Sequence, residues 1–180
     1  MVYVLLADGF EEIEAITPID ILRRAGLTVK TVGVGSSAPT GAHGITIMAD
    51  ISEDTFLPDN NTEAIVLPGG NIGTANLERS ETVKRAVRLA SEEDITVAAI
   101  CAAPTILAYS GLLRGKRAAV YPAQARILAD SYSKDSIVYD KPFLTAKSAA
   151  YPIEFSLKLV EILKGKETSG EVAQAIYYER

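Results

Sequence analysis

The chain has 180 residues and a formal net charge of −5, with 18 Lys and Arg against 23 Asp and Glu, one cysteine and one histidine. That length fits one domain, 1–180, with a core of its own, and the mixed charges leave no basic stripe for a nucleic-acid backbone. One cysteine excludes an internal disulfide, no apolar run nears the roughly 20 residues of a membrane span, and Met1 to Leu6 runs into Asp8 without a basic leader, which implies a cytoplasmic protein.

Val2 to Leu6 reads as a buried strand ending in the turn Ala7-Asp8-Gly9. A helix follows, with Ile13, Ile16, Ile19 and Leu22 as its apolar stripe and Gly26 as its stop. Pro18 lacks an N–H, so the carbonyl of Glu14 loses its helical partner; the alternative is a fresh helix start capped by Thr17. Thr28 to Val34 reads as a second strand, and Gly44 to Asp50 alternates like an edge hairpin. Ala64 to Leu67 reads as a buried strand running into Pro68-Gly69-Gly70-Asn71. Ser80 to Glu92 reads as an amphipathic helix with Val83, Val87 and Ala90 inward.

Val97 to Cys101 is a run of small and apolar residues, and a helix opened by Pro104 follows it. Cys101 therefore stands at a strand-to-helix turn, the arrangement of a nucleophile elbow with cysteine in place of serine. The helix N-terminus favours a nearby anion, so the thiol is expected to ionise more readily than an ordinary one. Beyond Gly111 and Gly115 come a strand at Ala118 to Val120, the Tyr121-Pro122 break and a short helix from Gln124 to Leu128. A hairpin of Ile137 to Tyr139 with Phe143 to Thr145 follows, then a loop, and a last helix from Pro152 to Lys164. Alternating strands and helices imply an α/β, doubly wound parallel sheet between helices. Such a sheet binds ligands beyond the carboxyl ends of its strands, where Asp8-Gly9, Pro68-Gly69-Gly70 and Cys101 all fall.

Two features there bear on Cys101. One carboxyl of the Glu11-Glu12-Ile13-Glu14 cluster can turn inward, where an anion would raise the thiol pKa and a protonated carboxyl would lower it by donating a hydrogen bond. Gly69-Gly70 allows close backbone approach and offers N–H groups to an oxyanion, while the Gly-x-Gly-x-x-Gly spacing of a dinucleotide site is absent, so no nucleotide cofactor is expected. His43, the sole histidine, precedes the elbow, which argues against a glutaminase of the amidotransferase type. A zinc cage of cysteine and histidine is not expected either, and no metal is assigned.

These stretches together resemble the ThiJ/PfpI superfamily, in the branch of the parkinsonism-associated deglycase and its bacterial relatives. The resemblance rests on Leu6-Ala7-Asp8-Gly9-Phe10-Glu11-Glu12-Ile13-Glu14, on Pro18 to Gly26, on Val66 to Gly73 with Asn76-Leu77, and on Ala98-Ala99-Ile100-Cys101-Ala102-Ala103-Pro104. It implies a flavodoxin-like sandwich, a homodimer, a reactive cysteine at Cys101, a protonated glutamate at Glu14 and oxyanion-type N–H groups at Gly70 and Ala102. Tyr121 stands where many members carry a histidine before proline, and Ser148-Ala149-Ala150 stands where Gly-Pro-Gly is common. The implied activity is cofactor-independent, cysteine-dependent conversion of small reactive aldehydes such as methylglyoxal, or removal of their glycation adducts. The alternative is a redox-sensing or chaperone-like stress protein with an oxidisable cysteine; the family also carries older labels in thiazole monophosphate biosynthesis and proteolysis. In the dimer implied by the resemblance, Arg24 and His43 would form a cationic patch beside the neighbouring subunit's Cys101.

Overall fold

The computed structural model describes residues 1–179. Seven strands form one sheet: β1 (Val2–Ala7), β2 (Val29–Val34), β3 (Ile51–Ser52), β4 (Ala64–Leu67), β5 (Thr96–Ile100), β6 (Ile137–Asp140) and β7 (Phe143–Ala146). Their spatial order is β3-β2-β1-β4-β5-β7-β6, parallel throughout except for the antiparallel β6–β7 pair. The expected α/β doubly wound sheet is therefore present, and its edge hairpin is β6–β7.

The inner strands are buried on both faces, as parallel strands covered by helices must be. Val2, Val4 and Leu6 of β1 and Ala98 and Ile100 of β5 enter one core, and Leu5, Ala7, Val97 and Ala99 enter the other. The first core is closed by α1 (Glu12–Arg24), α6 (Pro152–Lys164) and α7 (Lys166–Ala175). The second is closed by α2 (Asn71–Arg79), α3 (Glu81–Glu92), α4 (Pro104–Tyr109) and the single turn α5 (Ala125–Leu128). Successive connections leave β1 toward β2 on one side and return to β4 on the other, so the switch point lies between β1 and β4.

Several expectations are corrected. Gly44 to Asp50 is not a strand: the segment forms a single antiparallel bridge, Thr40 to Thr46. The edge strand is β3, because the Asp50 carboxylate takes the Thr31 N–H at 2.7 Å and supplants a backbone partner one residue before β3 begins. Ala118 to Val120 is buried but forms only one bridge, to Tyr132; the Ala119 N–H goes to the Thr145 hydroxyl at 2.9 Å instead of a neighbouring strand. α1 runs unbroken through Pro18, so no second helix starts at Thr17. Its stripe is also rotated, since Ile13 and Ile16 are exposed while Glu12 and Glu14 are buried. Two helices lack a sequence signature: α2 carries Gly73 and starts at a glycine, and the polar α7 carries Gly170. Among the described residues no helix is long and apolar enough to cross a membrane.

Phe155 of α6 is fully buried in the core that α1 shares with α6. Phe155→Ala is expected to cost about 3–5 kcal/mol of unfolding free energy, measured by urea denaturation.

Candidate active site

Three strand ends meet at the site. β5 delivers Cys101 at φ +62°, a left-handed conformation that a cysteine adopts only under constraint. The constraint is visible on both sides: the Cys101 N–H donates to the Ala146 carbonyl at 2.9 Å, and the Cys101 carbonyl accepts from the Tyr121 N–H at 2.7 Å. The elbow geometry read from the sequence is thus present, with α4 opening at Pro104 just beyond it. The N–H groups of Ala102 and Gly70 bear on the sulfur.

Glu14 comes from the first turns of α1. Its side chain is wholly buried, Oε2 accepts the Gly69 N–H at 2.9 Å, and Oε1 has no hydrogen-bond partner. Gly69 separates this carboxyl from the elbow. A Cβ there would strike Glu14 Oε2 and lie 2.7 Å from the Cys101 Cβ, so only glycine lets the three segments close. Gly70 holds φ +90°, and a Cβ on it would strike the Gly9 carbonyl. The start of α1 is tied to this loop by the Glu11 N–H, which donates to the Gly69 carbonyl at 3.0 Å.

Burial pushes the Glu14 carboxyl up to about 7, against the pull of its hydrogen bonds with Cys101 and the Gly69 N–H. The Cys101 thiol is pushed up to about 12, first by burial and then by the Glu14 anion, and the Ala102 and Gly70 N–H groups do not compensate. This corrects the expectation of an easily ionised thiol: desolvation beside a carboxylate outweighs one short helix end. The two groups form a coupled pair in which the carboxyl gives up its proton first, near 7, while the thiol keeps its own. When the carboxyl keeps the proton, its Coulomb effect on the sulfur disappears and it becomes a hydrogen-bond donor to the thiolate.

The remaining sequence candidates lie apart from this pair. Arg24 bonds Asp20 of its own helix at 2.7 Å. His43 Nδ1 lies 2.9 Å from Glu12 Oε2 and 3.6 Å from Glu11 Oε1, and the His43 pKa is raised by its hydrogen bond to Glu12 and by both carboxylates. Neither residue is brought to Cys101 by these contacts within one chain. Tyr121 abuts the elbow through its backbone, with its ring partly exposed. Sequence reasoning missed Glu12. Burial opposes its ionisation, yet hydrogen bonds from His43 and Ile45 hold it below the ordinary carboxylate range.

Residues 1–162 match the model of the DJ-1/PfpI family. The chain is 36% identical over 177 residues to Protein dj-1beta of Drosophila melanogaster, covering 96% of this chain and 94% of that protein. It is 37% identical over 124 residues to a deglycase of Pyrococcus abyssi, covering 67% of this chain and 72% of that protein. The oxidized DJ-1 of Toxoplasma gondii superposes with a TM-score of 0.95 at 30% identity, over 99% of this chain and 98% of that one.

Because the Glu14 pKa is raised on folding, its neutral form is favoured by the native state, and the associated stability is lost as pH rises from 4.5 to about 7. Glu14→Gln removes that dependence. The stability of the variant minus that of the wild type should grow by about 3 kcal/mol between pH 4 and 8, measured by denaturant unfolding at each pH.

Proposed function

This chain belongs to the DJ-1/PfpI family, and we propose that it is a cofactor-independent enzyme that converts small reactive dicarbonyls, or their adducts on amines, through Cys101. The observation that carries this reading is the pairing of Cys101, held at a left-handed elbow, with a buried carboxyl whose pKa of about 7 suits proton transfer in both directions. The relative named as a deglycase supports the same substrate class.

For methylglyoxal, the Glu14 carboxylate takes the thiol proton as the sulfur adds to the aldehyde carbon: the S–H bond breaks, a C–S bond forms, and the carbonyl π pair moves to oxygen. The N–H groups of Gly70 and Ala102, which bear on the sulfur, would stabilise that oxyanion, which becomes the hydroxyl of a hemithioacetal on protonation. Glu14 as carboxylate then removes the proton from the former aldehyde carbon to give an enediolate, and as carboxylic acid returns it to the neighbouring carbon, while the hydroxyl proton passes from the first oxygen to the second as the thioester C=O forms. The product is a thioester of lactate, which water cleaves to lactate and free thiol. No external oxidant is needed, since one carbon is oxidised as its neighbour is reduced. Oε1, without a hydrogen-bond partner among the described residues, is the oxygen free to carry the proton.

A second reading, an oxidation-sensing protein, is favoured by one observation: the Toxoplasma relative is described as oxidized. The same Gly70, Ala102 and Glu14 groups would hold a sulfinate on Cys101.

We also infer a homodimer. Ile13, Ile16, Ile45 and Met48 are large, exposed and apolar at α1 and the 44–50 segment, as expected of a face covered by a second copy.

Wild-type protein incubated with methylglyoxal is expected to form lactate. Cys101→Ser should abolish this, and Glu14→Gln should lower kcat by at least about 100-fold while leaving the circular dichroism unchanged. No lactate from the wild type, with stoichiometric Cys101 sulfinate under mild peroxide by mass spectrometry, would favour the sensing role. Sedimentation at micromolar concentration should give a dimer, weakened by Ile16→Glu.

A further inference from the structure

Among the described residues, one group of three metal-ligating side chains stands together. Donor atoms of Glu11, Glu12 and His43 all lie within 4.8 Å of one another. Their sequence separation hid this group, because a carboxylate pair at a helix start and a histidine some thirty residues later show no ligand spacing. The fold joins them: the Gly9 N–H donates to the Thr40 carbonyl at 2.7 Å and the Ala42 N–H to the Phe10 carbonyl at 2.8 Å, laying the histidine loop along the start of α1.

The two carboxylates are prepared differently. Glu12 is almost completely buried, and its Oε1 accepts backbone N–H groups from His43 at 2.6 Å and Ile45 at 3.4 Å. Main-chain contacts thereby fix its rotamer and leave Oε2 facing His43 Nδ1 at 2.9 Å. Glu11 Oε1 approaches the same nitrogen at 3.6 Å from the other side. In a tetrahedral zinc site with bonds of about 2.0–2.2 Å, neighbouring donors are separated by roughly 3.3 Å, and these two separations straddle that edge length.

We propose that Glu11 Oε1, Glu12 Oε2 and His43 Nδ1 form a three-ligand site for a divalent first-row transition ion, with zinc as the fitting case and the remaining position open to water. An imidazole donor selects this class over magnesium or calcium, which take oxygen ligands. With the imidazole neutral, two carboxylates give the site a charge of −2 to be offset by the ion. The hydrogen bonds to Glu12 from the His43 and Ile45 N–H groups supply the outer-shell anchoring that such sites require. The site is distinct from the Cys101–Glu14 pair but adjoins it through the Glu11 N–H on the Gly69 carbonyl. The inference stands whether or not the chain acts on reactive carbonyls.

The test is isothermal titration of the full chain, stripped with chelator, against Zn²⁺ alone, with Co²⁺ absorption as the report on coordination. One ion per chain is expected. His43→Ala and Glu11→Gln should each weaken binding at least tenfold, while Cys101→Ser should leave the affinity within twofold. The Co²⁺ spectrum should lack the intense sulfur-to-metal charge-transfer band. Zn²⁺ titration of His43→Ala is read beside its melting and sedimentation, and loss of binding with both unchanged reports a lost ligand. Binding that survives both His43→Ala and Glu11→Gln, binding lost in Cys101→Ser, a sulfur charge-transfer band, or no stoichiometric uptake would each overturn the proposal.

Discussion

The approach of three chain segments at Gly69 is the constraint on which the site depends. α1 brings Glu14, β4 ends in the Gly69-Gly70 turn, and β5 ends at Cys101, and at Gly69 there is no space for one methyl group among them. The Gly69 N–H donates to Glu14 and its carbonyl accepts from Glu11, so one residue fixes both the buried carboxyl and the start of the helix that carries it. The left-handed Cys101 persists because its own N–H and carbonyl are bonded to Ala146 and Tyr121, which lie on other segments. Strain at a reactive residue survives when its surroundings over-determine it.

Placing two ionisable groups in one dry pocket has an electrostatic consequence. Burial disfavours either anion, and each anion disfavours the other, so the pair does not ionise twice near neutrality and the carboxyl ionises first. A nucleophile and a proton carrier that share one charge can exchange roles during a reaction without a further ion being buried. The Ala102 N–H just ahead of α4 and the Gly70 N–H favour the sulfur anion, but the balance between thiol and carboxyl is set by desolvation.

The same helix start has a second, wetter face. Glu14 turns into the core toward Cys101, whereas Glu11 and Glu12 turn toward the 40–46 loop, and Glu12 is buried by the hydrogen bonds of that loop rather than by apolar packing. Ile13 and Ile16 are left outside. A helix start that buries Glu12 and Glu14 and exposes Ile13 and Ile16 inverts the ordinary amphipathic pattern, and functional and assembly surfaces are where such inversions are expected.

Residue patterns alone determined the sheet class, the buried strands read as Val2 to Leu6, Ala64 to Leu67 and Val97 to Cys101, each found within a residue of those bounds, and the elbow at Cys101. Each follows from local rules: apolar runs of strand length, glycines at turns, and a proline at a helix start. Glu14 and Gly70 were legible as candidates because they follow strands that a doubly wound sheet aligns at one edge. What local rules could not reach was decided by contacts distant in sequence. The Asp50 carboxylate on Thr31 and the Thr145 hydroxyl on Ala119 replaced the backbone pairing that would have made Gly44–Asp50 and Ala118–Val120 strands. The direction of the Cys101 shift was likewise a tertiary matter, because solvent exclusion and the proximity of Glu14 arise only when α1 closes over Gly69. The sequence by itself determined which groups could react; the tertiary structure decided their proton affinities and their neighbours, since desolvation and Coulomb interaction depend on distance in space and not along the chain.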